Sequence, residues 1–262
     1  MKKTTKELRK TAGFVRGRYD RQIALPEIGR AGQKKLGNAS VLIVGVGGLG
    51  SVSGYYLAGA GVGTLGMVDG DRVEVSNLHR QIAHSSVDTG RLKVESAAEK
   101  FTALNPDVKV VLHARRFELA WATKVLADYD FVIDATDNFA SKMVIARACH
   151  ATRKPYSHAG IRGFRGQAMT VLPGKSCCYC CVFGDVEEEE SGSGVGPLGP
   201  VPGVLGAIQA CEAIKHIVGC GELLTDRLLT FDGLRMETRV VQVKRNKLCA
   251  LCGRRECLPR RH

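Results

Sequence analysis

Val41-Leu42-Ile43-Val44-Gly45-Val46-Gly47-Gly48-Leu49-Gly50 is the stretch on which the fold turns. Four apolar residues in a row read as a short buried strand, and the glycines behind them mark a tight turn. From Gly48 to Ala60 the residues Leu49, Val52, Tyr56, Leu57 and Ala60 keep a helical apolar spacing. Strand, glycine turn and helix therefore follow one another directly. Glycines in such a turn let backbone N–H groups approach a phosphate, and the helix N-terminus adds partial positive charge. A second strand, Thr64–Val68, ends at Asp69, 24 residues after Gly45. A carboxylate at that place can accept a hydrogen bond from a ribose hydroxyl. Together these features point to nucleotide binding. They do not choose between a dinucleotide and ATP, and close helix–sheet packing without a ligand would use the same glycines.

Outward from this unit, apolar runs and helical segments alternate. Leu92–Leu104 reads as a helix, Val108–Leu112 as a strand, Leu119–Ala127 as a helix, Phe131–Ile133 as a buried strand and Asn138–Cys149 as a helix. That alternation predicts the α/β class, with a Rossmann-like, mostly parallel sheet flanked by helices on both faces. Beyond about residue 155 the pattern changes. Strand candidates Tyr156–Ala159 and Gln167–Leu172 lead into a cysteine cluster, then Glu187–Glu190 and a Ser-Gly-Ser-Gly stretch that is a loop by composition. Val204–Ile217 resumes as a helix, and Arg227–Asp232 and Thr238–Val243 read as closing strands. The expected organisation is a single domain over residues 1–262. It has a basic extension at 1–17, a nucleotide-binding part at 36–150 and an extended C-terminal part at 151–262.

The 262 residues are 44% hydrophobic and 24% charged, which excludes a disordered, collagen-like or fibrous chain. The net charge of +12 sits at the ends: residues 1–18 and 235–262 together hold 16 basic and 3 acidic side chains. A near-neutral body with basic ends suits an acidic partner or a polyphosphate better than a DNA-wrapping surface. Basic ends that only aid solubility are the plainer account. Ten cysteines could suggest a disulfide scaffold, but the opening MKKTTKELRK lacks the apolar stretch of a signal peptide and two Cys-x-x-Cys pairs invite metal. The expected location is a reducing cytoplasm. Residues 38–68 carry no charge, yet nine glycines interrupt them; no continuous apolar span of about 20 residues exists, so no membrane span is expected.

A second set of polar groups stands where strands should end. Ser76-Asn77-Leu78-His79-Arg80-Gln81 follows the second strand, Lys93 opens the next helix, and Asp134-Ala135-Thr136-Asp137-Asn138 follows the fourth strand. In an open parallel sheet such carboxyl-end loops converge on one crevice. Two cations and two carboxylates there fit a triphosphate with its magnesium ion better than a nicotinamide. Singly, Lys93 and Arg80 would be ordinary solvated charges, and Asp137 an ordinary helix N-cap.

These residues carry a resemblance. The sequence resembles the ThiF/MoeB/HesA family of ubiquitin-activating-like adenylyltransferases through Arg18–Ile23, the glycine turn, Val68-Asp69-Gly70-Asp71, Ser76–Gln81, Gly90–Lys93 and Asp134–Asn138. The match continues through Cys178–Cys181, Gly199-Pro200-Val201, Ile208–Lys215 and Cys249–Cys252. The resemblance implies a homodimer that binds ATP and a small β-grasp, ubiquitin-like sulfur carrier protein ending in Gly-Gly, as used in thiamine or molybdopterin biosynthesis. Residues 151–262 would then serve carrier and zinc binding. The carrier's carboxylate would attack the ATP α-phosphorus, giving an acyl-adenylate and pyrophosphate. By position, Gly45, Gly47, Gly48 and Gly50 would cradle the nucleotide and Asp69 would hold the ribose, with Asp71, Ser76, Leu78, His79 and Asn138 around it. Arg21, Asn77 and Lys93 would contact phosphates and Asp137 would bind magnesium, while Arg80 looks like an arginine that reaches into the partner subunit's site.

Spacing alone allows Cys177 with Cys180 as readily as Cys178 with Cys181. The resemblance selects Cys178 and Cys181, because Val182-Phe183 follows them as in the family, and pairs them with Cys249 and Cys252 around a structural zinc ion. Cys149 and Cys211, within apolar helices, are expected core filler. Some relatives carry a reactive cysteine where this chain reads Glu190-Ser191-Gly192-Ser193-Gly194-Val195; adenylation without a covalent enzyme–carrier link is the expectation. Two other classes compete: an NAD-dependent oxidoreductase, for which no nicotinamide pocket is legible, and a basic zinc-containing nucleic-acid-binding protein, disfavoured because aromatics make only 6% of the chain.

Overall fold

A computed structural model describes residues 17–185 and 196–253. The Glu187–Glu190 run, the Ser191–Val195 loop, Cys257 and the basic extension up to residue 16 lie outside the described residues. One eight-stranded sheet organises the chain: β1 (Ser40–Val44), β2 (Thr64–Val68), β3 (Lys109–His113), β4 (Phe131–Asp134), β5 (Tyr156–Arg162), β6 (Arg165–Val171), β7 (Arg227–Asp232) and β8 (Glu237–Gln242). Their order is β3-β2-β1-β4-β5-β6-β7-β8. The first five strands are parallel, and β6, β7 and β8 add antiparallel pairs. Central β1 and β4 are covered on both faces, which is why they read as unbroken apolar runs.

Among the described residues the chain forms the α-helices α1 (Asp20–Ile23), α2 (Gly29–Asn38), α3 (Gly48–Ala60), α4 (Lys93–Leu104), α5 (Leu119–Val125), α6 (Phe139–Thr152), α7 (Tyr179–Phe183) and α8 (Pro200–Val218). One apolar core joins α3, α4 and α8 to one sheet face, through Leu49, Leu57, Phe101 and Leu205 among others. A second core joins α5, α6 and α7 to the opposite face, through Leu126, Ile145 and Tyr179. The α3 sequence is apolar nearly all round because sheet, α4 and α8 enclose it. Among the described residues, no helix is long and apolar enough to cross a membrane.

The elements α3, β2 and β7 lie at the bounds that periodicity sets, and the others shift by a few residues. Sequence periodicity missed α1, α2 and α7. The α2 segment is rich in Gly and cations and forms because Gly32 and Leu36 are buried against the fold. Helix α8 begins at Pro200, where a ring without an N–H is tolerated, rather than at Val204.

Register fixes the site. Val44 stands beside Val68 and Asp134, and Val68 beside His113. The loops leaving β1, β2 and β4 therefore start at one level. The chain turns from β1 outward to β2 and β3, then returns to β4 on the other side of β1, so a crevice opens between the ends of β1 and β4.

Candidate functional site

The glycine turn enters that crevice. Gly45 has φ +92°, and a Cβ there would lie 2.7 Å from the Ala135 carbonyl oxygen, so only glycine fits against the β4 loop. A Cβ on Gly50 would lie 2.0 Å from the Gly45 carbonyl oxygen, which explains the turn's last glycine. The N–H groups of α3's first turn have no intrahelical acceptors and carry the positive end of the helix dipole. Asp69 anchors the turn. Its Oδ2 accepts from the Val46 N–H at 2.8 Å and its Oδ1 from the Asp71 N–H at 2.8 Å. Burial pushes the Asp69 carboxyl above the usual range, and Lys93 with the two N–H groups pulls it back. Each carboxylate oxygen keeps a lone pair for a hydroxyl donor.

Lys93 is the first residue of α4, and its buried Nζ lies 2.9 Å from Oδ2 of the exposed Asp71. Its own N–H donates to the Asp71 carbonyl at 3.0 Å, so loop and helix start are fastened together. Ser76, Asn77, Leu78, His79 and Arg80 lie in and just after a short 3-10 turn, Val75–Asn77. The Arg80 guanidinium donates to the Ser76 carbonyl at 3.1 Å and stands 2.7 Å from His79 Nε2, and Asn77 Nδ2 donates to Ser76 Oγ at 3.4 Å. The Arg80 carbonyl lies 3.3 Å from where a Gly48 Cβ would sit, which places this segment over the glycine turn of its own chain. Across the crevice, Asn138 rather than Asp137 caps α6, its Oδ1 accepting from the Ser141 N–H at 2.8 Å. The exposed Asp137 carboxylate accepts from Asn138 Nδ2 at 3.3 Å.

Arg21 is not brought to this group. It is exposed on α1, whose neighbour Gln22 donates to the Ala60 carbonyl at 3.1 Å, at the far end of α3. Tyr19 beside it accepts from Asn105 Nδ2 at 2.7 Å. A 13-residue helix separates α1 from the glycine turn, about 18 Å at 1.5 Å per residue. Within its own chain, then, Arg21 is not placed to make the phosphate contact expected of it.

Beneath the β4 loop lies a buried charge cluster. Asp134 and Lys142 are 1% and 6% exposed, with Lys142 Nζ at 3.3 Å from Asp134 Oδ1. Lys142 also donates to the Thr136 and Ala159 carbonyls, both at 2.7 Å. His158 Nδ1 lies 2.8 Å from Asp134 Oδ2, and the Thr136 hydroxyl donates to Asp134 Oδ1 at 2.7 Å. Burial alone would raise Asp134, but Lys142, His158 and Thr136 hold it down to about 2. Burial pushes His158 below its usual value, so it is neutral near pH 7.

On the same face, Cys178 and Cys181 at the start of α7 meet Cys249 and Cys252 from the segment after β8. Their four Sγ atoms lie within 4.8 Å of one another. Separations of 3.7 Å (Cys178 to Cys181), 3.5 Å (Cys178 to Cys249) and 3.3 Å (Cys181 to Cys252) exclude disulfides. They approach the roughly 3.8 Å edge of a tetrahedron with zinc–sulfur bonds of about 2.3 Å. The Asn246 N–H points at Cys181 Sγ, 3.4 Å away. A tetrahedral thiolate-binding metal fits this donor set. Cys177 and Cys180 are outside it: Cys177 is buried and pushed up to about 12 by burial and Asp226, and Cys180 packs its Sγ 3.4 Å from Met143 Sδ. Cys149 is core, as expected, but Cys211 is exposed on α8, because its position faces away from the sheet.

Residues 19–251 match the family model described as the ThiF family. The chain belongs to the ThiF family. The Adenylyltransferase and sulfurtransferase MOCS3-2 of Zea mays is 43% identical over 240 residues, covering 90% of this chain and 50% of that protein. The MOCS3 protein of Bos taurus is 42% identical over 242 residues, covering 91% and 53%. This ThiF-family chain thus spans about half the length of the curated relatives it matches. Among solved structures, E. coli MccB with MccA-N7isoASN superposes with a TM-score of 0.81 at 25% identity, covering 91% of this chain and 74% of that one. E. coli MccB with ATP has a TM-score of 0.77 at 24% identity, covering 96% and 82%, a likeness of fold.

Sequence reading did not single out Lys142, His158 and Gln209, the buried polar residues beneath the β4 loop of this ThiF-family chain. Gln209 on α8 donates to the Asp134 and Ser157 carbonyls at 2.8 and 3.0 Å. The available signal was a polar residue inside an apolar period, such as Lys142 ahead of Met143-Val144-Ile145 or His158 in a buried strand.

Proposed function

We propose that this chain adenylylates the C-terminal Gly-Gly carboxylate of a small, ubiquitin-like sulfur carrier protein with ATP, releasing pyrophosphate. The carrying observation is that Asp69, Lys93, the Arg80 backbone and the Asp137 loop surround the glycine turn at the sheet's switch point in a ThiF-family chain. The relatives' name, adenylyltransferase and sulfurtransferase, agrees with the first of these activities. Family membership also displaces the oxidoreductase and nucleic-acid readings.

In this reading Gly45, Gly47, Gly48 and Gly50 line the phosphates and Asp69 accepts from the ribose, with Asp71, Ser76, Asn77, Leu78, His79 and Asn138 bordering the site. The ionised carrier carboxylate attacks the α-phosphorus; a carboxyl oxygen–phosphorus bond forms, and the bond to the pyrophosphate oxygen breaks. No proton has to move, so alignment and charge neutralisation do the catalysis. Lys93 and Arg80 present positive charge to the phosphates from within the chain. Magnesium held by Asp137 supplies further neutralisation when bound. Arg21 is too far along α3 to join them, and the reading that suits its place is contribution to the site of a second subunit in a homodimer. Arg80, beside Gly48, then serves its own subunit, exchanging the roles that the resemblance implied for the two arginines. Zinc at Cys178, Cys181, Cys249 and Cys252 fastens the C-terminal segment to α7, away from the chemistry. Carriers for thiamine and for molybdopterin synthesis are both compatible.

ATP–pyrophosphate exchange with a Gly-Gly carrier and magnesium tests the reading. Lys93→Ala and Asp137→Ala should each nearly abolish exchange in folded protein; wild-type rates in both variants would overturn the site.

A further inference from the structure

His84 has no place in the reading above, yet it is the side chain that holds the glycine turn from below. It is buried, follows the Ser76–Gln81 segment, and lies between that segment and α4. Nε2 is 3.0 Å from the Val46 carbonyl oxygen, and Nδ1 is 2.9 Å from Ser96 Oγ on α4. The buried Ser96 hydroxyl also receives Lys100 Nζ at 3.1 Å, and Lys100 is paired with the buried Asp88 at 2.6 Å.

The Val46 carbonyl can only accept, so Nε2 carries a hydrogen and donates it. Burial pushes His84 below the usual histidine range, so the ring is neutral near pH 7 and Nδ1 is bare. The Ser96 hydroxyl then donates to Nδ1 while accepting from Lys100, which can only donate.

The consequence lies in the peptide that joins Val46 to Gly47. It is trans, so its C=O and N–H point in opposite directions. With the carbonyl drawn down to His84, the Gly47 N–H is aimed away from the core, toward the crevice. The preceding peptide is held as well, because the Val46 N–H donates to Asp69. Two glycine-flanked peptides could otherwise rotate cheaply, and a flip would replace an N–H donor with a carbonyl oxygen facing the phosphates.

We propose that His84, oriented by Ser96, is a positioning residue for the nucleotide, locking the Val46 carbonyl inward so that the Gly47 N–H stays available to a phosphate oxygen. The proposal rests on the nucleotide reading for its ligand but has its own structural readout. His84→Ala leaves a buried carbonyl without its donor. ATP-magnesium should then bind about tenfold more weakly, while affinity for the Gly-Gly carrier is unchanged. His84→Gln, whose amide nitrogen can stand near the Nε2 position, should recover most of the ATP affinity. Ser96→Ala should give an intermediate loss.

Calorimetry measures the binding. In the nucleotide-free protein, amide NMR of Gly47 and Gly48 should show broadened or doubled signals in His84→Ala and single signals in the wild type and His84→Gln. Equal ATP affinity in wild type and a folded His84→Ala, or unchanged Gly47 and Gly48 signals, overturns the positioning role. If His84→Ala does not fold, an unchanged ATP affinity in Ser96→Ala overturns it instead. A wild-type protein that binds no ATP overturns the nucleotide reading and the ligand assigned here, while the NMR comparison still decides whether His84 sets the peptide.

Discussion

Replacing Lys142 by methionine isolates the buried charge cluster from everything at the surface. Methionine keeps most of the side-chain length but removes the cation that faces Asp134, which is 1% exposed. It also removes the donor to the Thr136 and Ala159 carbonyls. Breaking a buried ion pair from one side costs about 3–5 kcal/mol, because the remaining charge is left without its partner. The His158 contact at 2.8 Å and the Thr136 hydroxyl remain, so the lower part of that range is expected near pH 7.

The pH dependence carries a sign. In the wild type Asp134 titrates at about 2, below its ordinary value of 3.8. Its contribution is therefore fully present above about pH 4 and is lost as pH falls through about 2. Without Lys142, burial dominates and the carboxyl rises above its unfolded value. Its contribution is then greatest in acid and is lost as pH rises through the new value. Urea unfolding of both proteins at pH 5 and pH 7, at one protein concentration and metal content, reads this difference. The gap between them should be wider at pH 7. Asp134→Asn in the Lys142→Met background should recover part of the loss. A Lys142→Met protein within about 1 kcal/mol of wild type at pH 7 would refute the reasoning.

Three further outcomes follow. Mixing Arg21→Ala and Lys93→Ala subunits should restore part of the exchange activity if Arg21 acts across a dimer; proven hybrid dimers without recovery count against it. Purified protein should hold a single zinc ion per subunit at the four-cysteine cluster, lost on combined Cys249→Ser and Cys252→Ser change with a lower melting temperature; metal analysis finding no zinc removes the assignment. Incubation with ATP, magnesium and carrier should yield free carrier adenylate and unmodified enzyme by denaturing mass spectrometry. Burial of Cys177 and Cys180 disfavours either as a nucleophile, so a stoichiometric reductant-sensitive adduct on one of them would contradict the expectation.

Local physics made much of this protein legible in its sequence. The run Val41–Val44, the glycines, the apolar period to Ala60 and the acid at Asp69 specify strand, turn, helix and strand over fewer than thirty residues. Backbone conformation and apolar spacing act within that range. The two Cys-x-x-Cys pairs were visible for the same reason, though spacing alone left Cys177 and Cys178 equivalent as starting points.

Packing between distant segments decided the rest. Cys178 and Cys249 are 71 residues apart and meet only because α7 and the segment after β8 cover the same sheet face. Asp134, Lys142 and His158 look like unrelated polar residues until β4, α6 and β5 exclude water around them. Arg21 stands within a stretch that carries the resemblance, Arg18–Ile23, yet Tyr19 and Gln22 dock it at the wrong end of α3 for its own nucleotide turn. A sequence pattern sets which face of an element is apolar, but which end of a neighbour that face meets is settled by the shape of the assembled core.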